Sequence, residues 1–321
     1  MKMLSNEVYQ RIRRYVFLYA RYLDIARWRF HFENGSADEV SEALSFYQNE
    51  DGGFGYGIEL DCQNPLSQPT QFFWGAAGIL KEIGYDTHDN PMMKKILRYI
   101  ENCPDITEQG IRFVVPSNNE YPCNFWYKYE PDENHPAECN INSGIGFIFE
   151  HFTPDSAIYK KAVRIAEYRF SIMEDILKTR LDEAKDEWQG LEPSDYASLI
   201  IELKRHCIKT EQECRTLSDR LLSFIKTHGT AHTYDMIEKQ IKKGMSTANA
   251  YEIVYTDDLD ALIDKLSGDD QPWNNKGRLL DGEDNSQKYA QMYNIGMWWA
   301  IMGAISDLKV LKSHDRLERS G

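Results

Sequence analysis

Two kinds of helix alternate along this sequence, and the second kind constrains the fold most. Segments such as Tyr159-Lys-Lys-Ala-Val-Arg-Ile-Ala-Glu-Tyr168 carry charge on one face, whereas Asn142-Ser-Gly-Ile-Gly-Phe-Ile-Phe149 and Ile295-Gly-Met-Trp-Trp-Ala-Ile-Met-Gly-Ala304 are small and apolar nearly all round. A helix apolar on every face must be buried on every face. Alternating half-exposed and fully buried helices therefore calls for two concentric layers with the buried kind inside. Helical periodicity covers almost the whole chain. Residues 6–29 form one amphipathic helix through Val8, Ile12, Val16, Leu18, Tyr19, Leu23 and Trp28, and Ser36 with Glu39 forms a capping box that opens a helix to Tyr47. Further helices are expected from Pro69 to Gly84 and over 90–102, 140–152, 156–181, 194–207, 211–228, 233–243, 257–266 and 286–309. Extended signals are few: Ile111–Val115 and Asn124–Tyr127, both inside the longest loop, 103–139. No low-complexity linker divides the chain, so 1–321 reads as a single all-α domain.

Composition narrows the function. The 321 residues carry a formal net charge of −14, which argues against nucleic acid as a partner. With 7 Trp, 19 Tyr and 14 Phe, the chain can build a large core. The nearly uncharged stretch Asn294–Ser306 is shorter than the roughly 18 to 20 residues that cross a bilayer. The N-terminus, with Glu7, Arg11, Arg13 and Arg14, has no secretory pattern, and the six scattered cysteines contain no CxxC pair. A cytoplasmic protein with reduced thiols is the expectation. His228 and His232 lack the glutamate of a metalloprotease motif, and no GxSxG, P-loop or dinucleotide fingerprint occurs. Neither a metal nor a cofactor is expected.

One string is more specific. Phe46-Tyr-Gln-Asn-Glu-Asp-Gly-Gly-Phe-Gly55 resembles the repeat of squalene cyclases and protein prenyltransferase β subunits, and Gly277-Arg-Leu-Leu-Asp281 with Tyr289-Ala-Gln-Met-Tyr293-Asn-Ile-Gly296 is similar to the last inner-helix segment of the latter. The resemblance implies an α/α toroid of about five or six helical pairs around a central cavity. In it the glycines allow a tight turn, Phe54 packs between helix ends and Gln48 bonds helix termini. The family's chemistry does not carry over. The zinc-ligating His of prenyltransferases would follow Tyr289, where Ala290 stands, so the thiolate-activating zinc site cannot be assembled. The acid motif of the cyclases is also missing. Its nearest string, Asp257-Asp258-Leu-Asp260, reads as the acidic first turn of a helix.

Four clusters at junctions before apolar helices remain, and a toroid gathers them at one mouth. The first is Glu59-Leu-Asp61 with Gln68 and Trp74; its carboxylates are candidates for general acid and base, or for caps of the glycine-rich loop. The second holds Glu138 and Asn140, the third Trp188, Glu192 and Asp195, and the fourth Trp273, Asp281, Tyr289 and Tyr293. Aromatics and carboxylates together describe a small-molecule pocket. Three readings stay open. One is an isoprenoid-binding, terpene-cyclase-like protein with acid-initiated cyclisation, its cavity lined by Phe72, Phe73, Trp74, Phe147, Phe149, Trp298 and Trp299. The second is a carbohydrate-active hydrolase or lyase using paired carboxylates. The third is a binding or scaffold toroid without chemistry.

Overall fold

The computed structural model describes residues 1–130, 142–182, 193–245, 258–274 and 294–318. Twelve α-helices occupy them: α1 (Asn6–Tyr19), α2 (Tyr22–Phe32), α3 (Ala37–Ser45), α4 (Ala77–Glu82), α5 (Pro91–Asn102), α6 (Asn142–His151), α7 (Ala157–Asp182), α8 (Pro193–Arg205), α9 (Glu211–His228), α10 (Ala231–Lys243), α11 (Leu259–Ser267) and α12 (Ile295–Ser313). Among the described residues there is no named strand, only isolated bridges, so the protein is all-α. The expected extended segments differ accordingly: Ile111 makes a single bridge to Ile106, and Phe125–Tyr127 is a 3₁₀ turn.

Most helix ends follow the sequence signals. Ser36 Oγ accepts from Glu39 N at 3.1 Å, Asn90 caps α5 ahead of Pro91, and Asp258 Oδ1 accepts from Ala261 N at 2.8 Å. Asp258 thus opens α11 as a cap. The first helix is the exception. It breaks at Ala20 and Arg21, both extended, leaving Leu18 and Tyr19 at 60% and 46% exposure. The cause is tertiary: the Arg21 guanidinium turns inward to the carbonyls of Gly57 (3.1 Å) and Ile58 (3.2 Å) and to Asp24 (2.8 Å).

Helices pack on alternate as well as adjacent neighbours. α6 lies on α8, α5 on α7, and α7 on α9, while α12 packs on α1 and α2. One core runs from Leu23 to Ile237; a second joins Val8, Ile12 and Trp28 to Leu262, Ile305, Leu308 and Leu311. The chain ends meet, since Leu4 N donates to Arg316 O (2.8 Å) and Glu318 N to Leu4 O (3.0 Å). Between α2 and α4 a buried charge network links Arg21, Asp24, Arg27, Glu82 and His31, with Arg27 Nη2 2.8 Å from Glu82. Two apolar helices carry exceptions to uniform burial. In α12, Trp299 is 41% exposed and the buried Asp307 pairs with Lys265 at 2.8 Å. In α6, Gly146 leaves room for the buried Glu202 of α8; a Cβ there would meet Glu202 Cδ at 2.6 Å.

Candidate functional site

The glycine-rich string after α3 folds into a knot that sets the next loop. Asn49 N donates to Gly53 O (2.8 Å), Gly55 N to Tyr47 O (3.0 Å), and Asp51 accepts from Gly53 N (2.9 Å) and Ser67 Oγ (2.7 Å). Gly52 has φ +94, and a Cβ on it would lie 2.2 Å from the Lys95 carbonyl, so a side chain fails on both counts. Gln48 spans two carbonyls, Gly52 O at 3.0 Å and Met92 O at 3.3 Å. Phe54 is fully buried, 5.9 Å from Phe72. It therefore supports the turn from within the core.

The knot delivers the Glu59–Asn64 loop to the start of the next helix, and that helix begins irregularly. Gln71–Ala76 is π-helical and runs directly into α4, the kind of local widening found at functional sites. Gln71, fully buried, clamps the loop from both sides: its Oε1 accepts from Glu59 N (2.9 Å) and its Nε2 donates to Cys62 O (2.7 Å). On the far side Asn64 Nδ2 donates to Asn118 Oδ1 (2.8 Å), and Asn118 Nδ2 to Tyr127 O (3.2 Å). Gln68, also buried, reaches Cys62 Sγ at 3.8 Å, while its Oε1 has no hydrogen-bond partner among the described residues. The 103–139 loop thus braces the site through its described part.

Held this way, the two carboxyl groups acquire different environments. Glu59 is 6% exposed; its Oε2 accepts from Asp61 N at 3.1 Å, and the Tyr127 hydroxyl bonds the same carboxyl. Burial, reinforced by the Asp61 charge, raises the Glu59 pKa to about 8, against the opposing pull of Tyr127, the Asp61 amide and Arg21. Burial also raises the Tyr127 hydroxyl well above its ordinary value and the Cys62 thiol to about 12. Glu59 is therefore a neutral acid at pH 7. Asp61 is half-buried and accepts from Trp299 Nε1 at 3.2 Å. That indole, Trp299, is 41% exposed; Trp74, 47% exposed, reaches the pair from the Glu59 side, its ring 4.8 Å from Phe113, which in turn lies 4.8 Å from Tyr127. Asn124 N donates to Asp61 O (2.8 Å), placing Phe125 and Trp126, 72% and 39% exposed, beside the same loop.

Glu59, Asp61, Gln68 and Trp74 thus come together as one group. The others fall elsewhere. Asp195 is buried in the first turn of α8, beside Tyr196, whose hydroxyl receives Arg169 Nη2 at 3.2 Å. Trp273 donates to Leu266 O (2.9 Å) and packs 6.2 Å from Tyr15 at the second core, where it fastens the end of α11. Glu138, Asn140, Trp188, Glu192, Asp281, Tyr289 and Tyr293 lie outside the described residues. The expected cavity lining also changes. Phe147 sits 4.9 Å from Phe72 and 5.8 Å from Phe73, and Phe149 packs on Tyr159 and His206, so these rings fill space against one another. Sequence reasoning passed over Gln71, Arg21 and Tyr127. An amide inside the apolar run Gln71-Phe-Phe-Trp74 was the available signal for the first.

The chain matches no protein-family model, no curated protein and no solved structure.

Proposed function

We propose that this chain is a carbohydrate-active α/α-toroid enzyme that uses Glu59 as general acid and Asp61 as its carboxylate partner. The observation that carries the reading is the unequal carboxyl pair beside an exposed indole: Glu59 buried and neutral, Asp61 half-buried against Trp299. A glycosidic bond needs this division, one carboxylic acid to protonate the departing oxygen and one carboxylate to act on the anomeric centre. Exposed Trp74 and Trp299 offer flat apolar faces with a polar edge, suited to the C–H face of a sugar ring. An acid with a pKa near 8 suits an oxygen leaving group at neutral pH. It is too weak to protonate an alkene, so the isoprenoid cyclase reading loses its initiating step at Glu59. The mutual packing of Phe72, Phe73 and Phe147 removes three of the aromatics that motivated an apolar cavity. The toroid is supported by the alternate packing of α5, α7 and α9 and of α6 with α8, and by α12 joining α1 and α2.

The test is a panel of neutral and acidic oligosaccharides, read by tryptophan fluorescence and reducing-end release, with prenyl diphosphates and squalene as counter-probes. Saturable quenching by a saccharide that Trp74→Ala weakens, and turnover that Glu59→Gln abolishes, are expected. Binding of an isoprenoid but no saccharide, or of neither, would contradict the proposal.

A further inference from the structure

At the opposite end of α4 from the Glu59 loop lies a second group of polar side chains that the proposed chemistry does not use. Asp86 follows the end of α4, and Glu150 and His151 end α6. One ligand-type atom from each lies within 4.8 Å of the other two. His88 adds a second imidazole, its ring centroid 5.7 Å from that of His151. His151 is 8% exposed and packs on Phe147 at 4.2 Å, yet neither of its ring nitrogens makes a hydrogen bond among the described residues. The ring packs on Phe147 while a ligand-type nitrogen stands within 4.8 Å of two carboxylate oxygens, the placement a metal ligand needs.

We propose that Asp86, Glu150 and His151 bind a first-row divalent cation, with His88 as a fourth donor from the same loop. The donor set is chemically apt: imidazole nitrogen with carboxylate oxygens suits Zn²⁺, Co²⁺ or Mn²⁺ better than the all-oxygen shell of Ca²⁺. Two helix C-termini, those of α4 and α6, point their negative ends at the place, which favours a cation. Lys81 is close enough to oppose a cation, so moderate affinity is expected. The function of the ion is structural: it ties the loop after α4 to α6, whose other residues pack against the π-helical segment that carries Gln71 and Trp74.

The test is a titration of the full chain, freed of metal by chelation, with Zn²⁺ by calorimetry and with Co²⁺ by visible absorption. One saturable site per chain is expected, with d–d bands that report nitrogen and oxygen donors. Asp86→Asn and His151→Gln should each weaken binding by at least about tenfold, as even loss of an outer-shell partner does. Asp86, half-buried, serves should the His151 variant not fold. Saturable binding in the wild type that persists unchanged in Asp86→Asn would overturn the site, as would no saturable binding.

Discussion

Glu59 shows how one buried side chain ties stability to chemistry. Folding raises its pKa from near 4.5 to about 8, so its protonated form is the one the native state prefers. Its contribution is therefore complete below the unfolded value and is lost as the pH climbs through the folded one. Stability is expected to fall between about pH 5 and pH 8, at about 1.4 kcal/mol per unit at most, and Glu59→Gln should flatten that slope in denaturant titrations. Glu82 has the opposite sign. Although burial works against it, the charges of Arg27 and Lys309 and the hydrogen bonds from His31 and Arg27 hold its pKa below the ordinary value, so its contribution is present above about pH 4.5 and is lost on acidification. Glu82→Gln removes the carboxylate nearest the buried Arg27, leaving it only Asp24 at 3.8 Å, and should cost about 3–5 kcal/mol by chemical denaturation at pH 7. Glu59 and Asp61 stood out in the sequence as a carboxylate pair after a glycine turn, with capping of that loop as their other use. The raised pKa of Glu59 was not legible there, since it depends on burial by tertiary packing that no local pattern encodes.

The helices themselves were read closely where caps are local. The expected 90–102 and 211–228 fall within a residue of α5 and α9, which the structure opens with Asn90-Pro91 and with a capping box of Thr210 and Glu213. What periodicity missed were the irregularities that build the site. A six-residue π-segment has nearly the same apolar pattern as an α-helix, so Gln71 could not be assigned a direction from spacing. Gln71→Ala removes both hydrogen bonds to the loop and should cost about 1–3 kcal/mol, with faster amide exchange at Glu59. In α6 the glycines looked like generic small residues, but Gly146 is where α8 approaches. Gly146→Val must displace the buried Glu202, whose carboxylate is bonded to Arg205 at 2.5 Å, and an overpacking cost of about 1–3 kcal/mol is expected in thermal unfolding.

Across the whole molecule, the alternation of charged and apolar helices correctly indicated an all-α chain, while long-range closure came from contacts no local pattern encodes. Leu4 bonds to Arg316 and Glu318, and α12 completes a core begun by α1. Leu308→Ala, at the centre of that core, should cost about 2–5 kcal/mol and shift the unfolding midpoint of α1 along with that of α12. This closure sets Trp298 and Trp299 against the loop of Asp61, since Trp298 donates to Tyr19 O at 3.2 Å and Trp299 to Asp61. Residue, helix and closure therefore converge on one claim: the intact fold keeps Glu59 protonated beside Asp61 at neutral pH. Carboxyl ¹³C NMR titration of glutamate-labelled protein, with Glu59→Gln to assign the resonance, tests it directly. One glutamate titrating near pH 8 and missing from the variant is the expected result. A Glu59 resonance that titrates with the exposed carboxylates, between about pH 4 and 5, would contradict the account.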